Sequence, residues 1–252
     1  MMISLQNKKI LVTREKHAAE KFAELITAFE GVPIQTPLLQ INCISFSKSI
    51  KHNLQSGKYN WIFFTSKNGV DCFFQQGISI ANCRIAAVGP KTTQAIEAYG
   101  YHVEFIPTVY NAETMAQEFL EIYEDSGAVL FVRGNLSRDV LLEKFTEANQ
   151  EYECVVVYET VPNLAEKQQL QHTLQTEQID YITFTSPSTI DAFIELTNED
   201  KTNYEGTVVC IGTTTEQKAK EVGFSNIITP ENFTIEGMVD VIHKHLRKKG
   251  EI

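Results

Sequence analysis

Six short polar stretches each follow an apolar run: Thr13-Arg14, Thr65-Ser66-Lys67-Asn68, Gly89-Pro90-Lys91-Thr92, Arg133-Gly134-Asn135, Thr185-Ser186-Pro187-Ser188 and Gly212-Thr213-Thr214-Thr215. All of their members are small, hydroxylic or cationic. Placed after strands and ahead of helices, such residues lie beside unpaired helix N–H groups at the positive end of the peptide dipoles. The chemistry that suits them is the holding of carboxylates or phosphates. Taken singly, each Ser or Thr reads first as an N-cap that serves stability, and Lys67 and Lys91 suit solvated surface positions. Taken as a set, with the Gly and Arg members included, they describe a receptor for a molecule bearing several negative groups. Arg14, Arg133 and Arg138 are three of only five arginines in the chain.

Whole-protein electrostatics would not help such a ligand in. The formal charge is −10, which also argues against broad nucleic-acid binding. Attraction has to be local, from backbone N–H groups, hydroxyls and a few arginines. One aromatic adds a possible proton donor: Tyr158, in CVVVYETVP. A phenol with an unperturbed pKa of about 10 is protonated at neutral pH and can protonate a leaving hydroxyl. A tyrosine packing a connector strand with its hydroxyl in water fits the sequence equally well. The six histidines, at 17, 52, 102, 172, 243 and 245, form no HExxH pattern, and His243 and His245 lie in a basic helix tail, HKHLRKKG. GxSxG, GxGxxG and GxxxxGK[ST] are absent. No metal or organic cofactor is called for.

The elements that must position these residues alternate. KKILVTREKHAAEKFAELITAFEGVPIQTPLL reads strand, loop, helix, turn, strand, with Phe22, Leu25, Ile26 and Phe29 on one helical face and Gly31 at the place of a C-cap glycine. Thr13 falls in the N-cap region of that helix. Further apolar strands follow in WIFFTS, RIAAVG, VEFIP, AVLFVRG, CVVVYETV, YITFTS, TVVCIG and NIITP. Strands apolar throughout and separated by amphipathic helices imply an α/β protein with parallel sheets covered on both faces.

The chain also repeats itself. A shift of 120 residues lays FTSKNGVDCFF on FTSPSTIDAFI and ILVTRE on LFVRGN. A shift of 123 lays VGPKTTQAI on IGTTTEQKA and GYHVEFIPTVYNAETM on GFSNIITPENFTIEGM, with Pro107/Pro230, Glu113/Glu236 and Met115/Met238 coinciding. Ordered matches of this kind mark a duplication of about 125 residues, hence two similar domains with a cleft between them. If the first β-α unit of each copy is exchanged into the other lobe, residues 1–37 with 162–252 form one domain and residues 42–156 the other. Residues 38–41 and 157–161 are then two antiparallel connectors, a natural hinge.

With 252 residues, 43% of them hydrophobic, the chain can build real cores. No apolar run approaches a bilayer span, and MMISLQNKKI lacks the features of a signal peptide. Five cysteines without CxxC spacing are expected to stay reduced, as small buried hydrophobes in a cytoplasm.

In order and across essentially the whole chain, ILVTRE, FTSKNGVDCF, AVGPKTTQAI, FVRGNLSRDVL, VYETV, ITFTSPSTIDAF and IGTTTEQKAKEVGF resemble the blocks of uroporphyrinogen-III synthases. The resemblance implies two flavodoxin-like domains joined by a two-stranded ladder. It also implies a cofactor-free lyase that converts the linear tetrapyrrole hydroxymethylbilane into uroporphyrinogen III, releasing water and inverting ring D. The substrate's eight carboxylates would meet the strand-end loops: Thr65, Ser66, Lys67, Asn68, Gly89, Pro90, Lys91, Thr92, Arg133, Gly134 and Asn135 in one lobe, and Thr13, Arg14, Ser186, Pro187, Thr213, Thr214 and Thr215 in the other. Tyr158 matches the family's tyrosine, the candidate for assisting loss of the hydroxyl. Gly212-Thr213 stands where Gly-Pro is common in the family. The expected protein is a monomer acting on a small molecule, without nucleic acid or membrane, and hand-over of the bilane from hydroxymethylbilane synthase stays open. So do three other readings: a two-lobed anion receptor, an FMN protein of flavodoxin type, and a regulatory protein that keeps this fold without the activity.

Overall fold

The structure, a computed structural model, describes residues 4–80, 83–197, 204 and 206–251. Residues 1–3, part of the amino-terminal stretch considered above, lie outside them, as does the side chain of His17. In chain order the elements are β1 (Lys9–Val12), α1 (Lys16–Ala28), β2 (Val32–Gln35), β3 (Leu39–Cys43), α2 (Lys48–Gln55), β4 (Trp61–Phe64) and α3 (Lys67–Phe74). There follow β5 (Arg84–Ala87), α4 (Pro90–Ala98), α5 (Ala112–Ile122), β6 (Val129–Gly134), α6 (Val140–Glu147) and β7 (Tyr152–Pro162). The last part holds α7 (Lys167–Thr176), β8 (Tyr181–Phe184), α8 (Pro187–Leu196), β9 (Thr207–Cys210), α9 (Thr213–Glu221), β10 (Ile227–Ile228) and α10 (Ile235–Lys248).

The chain divides into two compact units, Met1–Gln40 with Val161–Ile252, and Ile41–Thr160. The first holds a five-stranded sheet in the order β10-β9-β8-β1-β2, with parallel neighbours. The second holds β3-β7-β6-β4-β5, parallel from β7 through β5. At β3 the direction changes. Ile44 N–H bonds the Val157 carbonyl, and Asn163 N–H bonds that of Leu38. As one strand advances the other recedes, so β3 and β7 are antiparallel.

The strands are apolar throughout because both sheet faces are covered. In β4, Trp61 and Phe63 point to a cluster with Phe119, Phe131 and Phe145. Ile62 and Phe64 point to the other face, with Phe73, Ile96 and Leu130. Side chains alternate faces along a strand, and burying a Phe-sized side chain stabilises by about 1.5–3 kcal/mol. The first unit does the same: Ile10 and Val12 pack with Met238 and Ile242 on one face, Leu11 and Ile182 with Leu170 and Phe193 on the other.

The pairing register refines the repeat. Tyr181 stands opposite Ile10 in β1, and its counterpart Trp61 stands opposite Val129 in β6. Ile10 therefore falls on Val129, a shift of 119 rather than 120. This one-residue correction lays Arg14 on Arg133. Beyond β5 the shift of 123 holds in the backbone, because the single bridge Ala86–Phe105 coincides with the pair Val209–Ile228. VEFIP thus contributes one bridge instead of a strand, and NIITP only the two residues of β10. Each lies at a sheet edge, where a strand has one partner to bond.

Two local expectations change. The left-handed position after α1 is Glu30, with φ 62°, not Gly31. Gly31 is instead needed for space, since a Cβ there would stand 2.7 Å from Ile26 Cγ2. And Cys43 is disulfide-bonded to Cys72, which overturns the expectation of five free thiols. The end of β3 and the middle of α3 bring their Cα atoms to 5.2 Å, inside the range a disulfide spans. Cys83, Cys154 and Cys210 are free. Among the described residues no helix is long and apolar enough to cross a membrane.

Candidate active site

Four of the six polar stretches open helices directly. Ser66 caps α3, accepting from Gly69 N at 3.0 Å, and Ser186 caps α8, accepting from Thr189 N at 3.3 Å within a capping box. Gly89 and Gly212 precede α4 and α9 without a side-chain cap. The remaining two depart from expectation. α1 begins two residues past Arg14, and α6 begins only at Val140 after Asp139, so Arg133-Gly134-Asn135 does not itself start a helix.

Several residues expected to meet the ligand are buried. Thr13 is fully buried and its hydroxyl donates to the Thr183 carbonyl at 2.6 Å, tying β1 to β8. Thr92 and Thr215 are buried too. The Thr13 hydroxyl serves the fold, and only its backbone can face a ligand. Lys67 is ion-paired with Asp71, one helical turn on. Lys91, Pro90, Thr213, Thr214 and Asn135 are exposed, while Thr65, Asn68, Arg14 and Pro187 are half-buried. Burial lowers the Arg14 guanidinium pKa; nearby Glu15 and Glu236 act against the shift.

Within the Ile41–Thr160 unit, several of the expected residues meet around one pocket of about 310 Å³. Thr65 and Ser66 enter it from the end of β4, Arg133 from β6, and Tyr158 from β7. The Tyr158 hydroxyl lies 3.2 Å from Ser66 Oγ. Gly134 makes room for the ring: a Cβ there would stand 2.7 Å from the Tyr158 hydroxyl oxygen and closer still to the ring edge. Asn135 ties the same segment to β7. Its N–H donates to the Tyr158 carbonyl, its Oδ1 accepts from Thr160 N at 2.8 Å, and its Nδ2 donates to Thr160 O at 3.4 Å. Arg133 is anchored, with Nη1 2.7 Å from Asp139 Oδ1 and Nη2 donating to the Ser137 carbonyl. Arg138, exposed in the same wall, has no such anchor among the described residues and is the more accessible cation.

This arrangement can do acid chemistry without a metal. Ser66 Oγ already accepts one helix N–H, so its own proton can point to the Tyr158 oxygen, leaving the phenol proton free for a pocket occupant. Sequence reasoning missed Leu136, Ser137, Leu141 and Leu142, which complete the pocket. The signal for Leu136 and Ser137 lay in the polar NLSRD segment running on past Asn135, without helical character, while Leu141 and Leu142 belong to α6. Among the described residues no group of three or more His, Cys, Asp or Glu is placed to hold a metal ion.

A larger hollow, about 690 Å³, lies at the other end of the first unit's sheet among Lys8, Asp180, Tyr181 and Thr207. Lys8 is paired there with Asp180 and Glu251, and Lys8, Tyr181 and Thr207 stand at amino ends of strands. Open parallel sheets bind ligands at the carboxyl ends, which favours the smaller pocket.

The family model described as "HEM4: Uroporphyrinogen-III synthase HemD" matches residues 20–240. The chain is 28% identical over 240 residues to the porphyrin biosynthesis protein HemD of Ruminiclostridium josui, covering 92% of this chain and 47% of that protein, so it spans about half that relative's length. It is 29% identical over 236 residues to the uroporphyrinogen-III synthase of Chlorobaculum parvum, covering 90% of this chain and 94% of the other. Among solved structures, the uroporphyrinogen-III synthetase of Helicobacter pylori has a TM-score of 0.66 at 18% identity, covering 95% of this chain and 99% of that one. A uroporphyrinogen III synthase variant from Thermus thermophilus reaches 0.61 at 13% identity, covering 96% and 99%. At these identities the structural likeness speaks for the two-unit α/β fold alone. The matched family model spans most of the sequence, and the chain belongs to the uroporphyrinogen-III synthase family.

Proposed function

We propose that this protein closes hydroxymethylbilane into uroporphyrinogen III, with loss of water and inversion of ring D, as a carbon–oxygen lyase of tetrapyrrole biosynthesis. Family membership supports the substrate class. The single local observation that carries the chemistry is the Tyr158 phenol beside Ser66 and Arg133 in the 310 Å³ pocket.

The bilane's hydroxymethyl group sits on an electron-rich pyrrole. Departure of water leaves a stabilised azafulvene cation, so the step needs only mild acid help, which a phenol can give. Regiochemistry is the harder part. Unassisted closure joins the open ends and gives the unrotated isomer. Holding rings A to C by their carboxylates would make ring D attack through its substituted carbon, giving a spiro intermediate that rearranges. Catalysis is then mostly positioning, and no single side chain is indispensable.

The test is a coupled assay from porphobilinogen with hydroxymethylbilane synthase, separating the isomers by chromatography. Type III product is expected, and formation of type I alone would refute the proposal. Tyr158→Phe is expected to slow closure without abolishing it. Complete loss in a folded variant would overturn the positioning account.

A further inference from the structure

Each copy of the repeat carries one exposed aromatic ring in the same place. The shift of 123 residues lays Tyr110 on Phe233 and Gly89 on Gly212. The coincidence holds in the backbone, because the same shift superposes the neighbouring bridges Ala86–Phe105 and Val209–Ile228. Tyr110 is 62% exposed and Phe233 56%.

The local geometry is also duplicated. The ring residue sits in the middle of a three-residue turn, closed by Asn111 N–H to the Val109 carbonyl at 2.7 Å in one copy and by Thr234 N–H to Asn232 at 2.8 Å in the other. The residue after the ring then caps a helix: Asn111 caps α5 and Thr234 caps α10. Turn and cap together fix where the ring points. In both copies it lies over the glycine ahead of α4 or α9. A Cβ on Gly89 would stand 3.0 Å from Tyr110 Cβ, and one on Gly212 3.2 Å from Phe233 Cδ2. Glycine is what lets the ring lie so low.

A lone exposed aromatic is ordinary on a protein surface. Here the same ring persists over the same glycine while its neighbours have diverged, Thr108-Val109 standing against Glu231-Asn232. Each ring also adjoins its unit's polar strand ends. Ala112, two residues past Tyr110, lines the Tyr158 pocket. Glu236, three past Phe233, is close enough to Arg14 to act on its guanidinium.

We propose that Tyr110 and Phe233 are binding residues of two equivalent subsites, one in each unit, each taking one pyrrole ring of a tetrapyrrole by its face. A flat, electron-rich heterocycle stacks on an exposed aromatic ring and covers its apolar surface. The heterocycle's carboxylate arms are then directed toward the strand-end groups described above. The proposal rests on the substrate class given under the proposed function and adds two residues that account does not contain.

The experiment compares the wild type with Tyr110→Ala, Phe233→Ala, Tyr110→Phe and Phe233→Tyr. Steady-state kinetics on hydroxymethylbilane are paired with equilibrium binding of uroporphyrin III, a fluorescent tetrapyrrole octacarboxylate, and of citrate, a polycarboxylate without rings. Each Ala variant is expected to raise KM and the uroporphyrin Kd about tenfold. kcat, the thermal midpoint and the citrate Kd stay near wild type. The ring-preserving variants bind as the wild type does. Ala variants with wild-type KM and wild-type uroporphyrin affinity would overturn the subsites while leaving the synthase activity standing. Tenfold weaker uroporphyrin binding in a protein that makes no type III isomer would keep the subsites and remove the activity. A wild type that neither binds uroporphyrin nor turns over the bilane would end both.

Discussion

Gly134 offers the sharpest mechanical test of the pocket. A methyl group there would stand within 3.0 Å of three atoms of Tyr158, its Cζ, Cε2 and hydroxyl oxygen. Gly134 is not among the residues with positive φ, so Gly134→Ala is a problem of space and not of backbone strain. Relief to ordinary contact needs a ring displacement of about 1 Å, with a packing cost of about 1–3 kcal/mol. That displacement also breaks the 3.2 Å contact between the Tyr158 hydroxyl and Ser66 Oγ, worth about 1 kcal/mol. The sum is about 2–4 kcal/mol, offset by about 0.4–1 kcal/mol from the stiffer unfolded chain. Urea unfolding of the wild type, Gly134→Ala, Tyr158→Ala and the double variant isolates the clash. With the ring removed the methyl has room, so the Gly134→Ala cost should nearly vanish, giving a coupling of about 2 kcal/mol. Turnover of Gly134→Ala should fall about 100-fold through misplacement of the phenol. If Gly134→Ala costs the same with and without the ring, Tyr158 does not lie where the structure puts it.

Three further outcomes are expected. Reducing the Cys43–Cys72 bond, which closes a loop of 29 residues, should lower stability by about 3–4 kcal/mol; equal urea midpoints with and without dithiothreitol would refute this. Thr13→Val should cost about 1–3 kcal/mol, because it leaves the buried Thr183 carbonyl without its donor, while KM stays unchanged; a raised KM at unchanged stability would make the hydroxyl a ligand after all. His245 is held below its ordinary pKa by burial, with Lys249 and Lys248 adding to the shift against Glu251, and its Nδ1 lies 3.0 Å from the Tyr181 hydroxyl. A depressed histidine contributes stability that is full above about pH 6.5 and is lost as pH falls through the folded value. The thermal midpoint should therefore drop on acidification from neutral pH, less so in His245→Gln, and parallel pH profiles for the two proteins would contradict the assignment.

Much of the site was legible because its signals are local. Ser66 and Ser186 read as N-caps from their place between an apolar run and a helix, and they are N-caps. The gathering of Thr65, Ser66, Arg133 and Tyr158 was approached through the repeat and the family resemblance, since no spacing in the sequence joins them. Thr13 looked like Ser66 on paper, yet its hydroxyl turns into the sheet toward Thr183. The difference is that the Ser66 hydroxyl has a helix N–H within reach at Gly69, whereas α1 starts too late to offer one to Thr13. The 119-residue register was invisible because ILVTRE and LFVRGN match by letters at 120, and only the opposing strand shows which residues share a position.

By itself the sequence determined the periods and the punctuation: apolar runs short enough to be strands, helices opened by Ser or Gly, and a duplication. These depend on neighbours in the chain, where backbone geometry and hydrogen-bonding demands act over a few residues. The tertiary structure alone decided that Cys43 meets Cys72, that the Tyr158 ring lies against Gly134, and that its hydroxyl reaches Ser66 across 92 residues of chain. Those contacts follow from strand order and register, which are set by how both faces of each sheet are buried, and no local pattern encodes them.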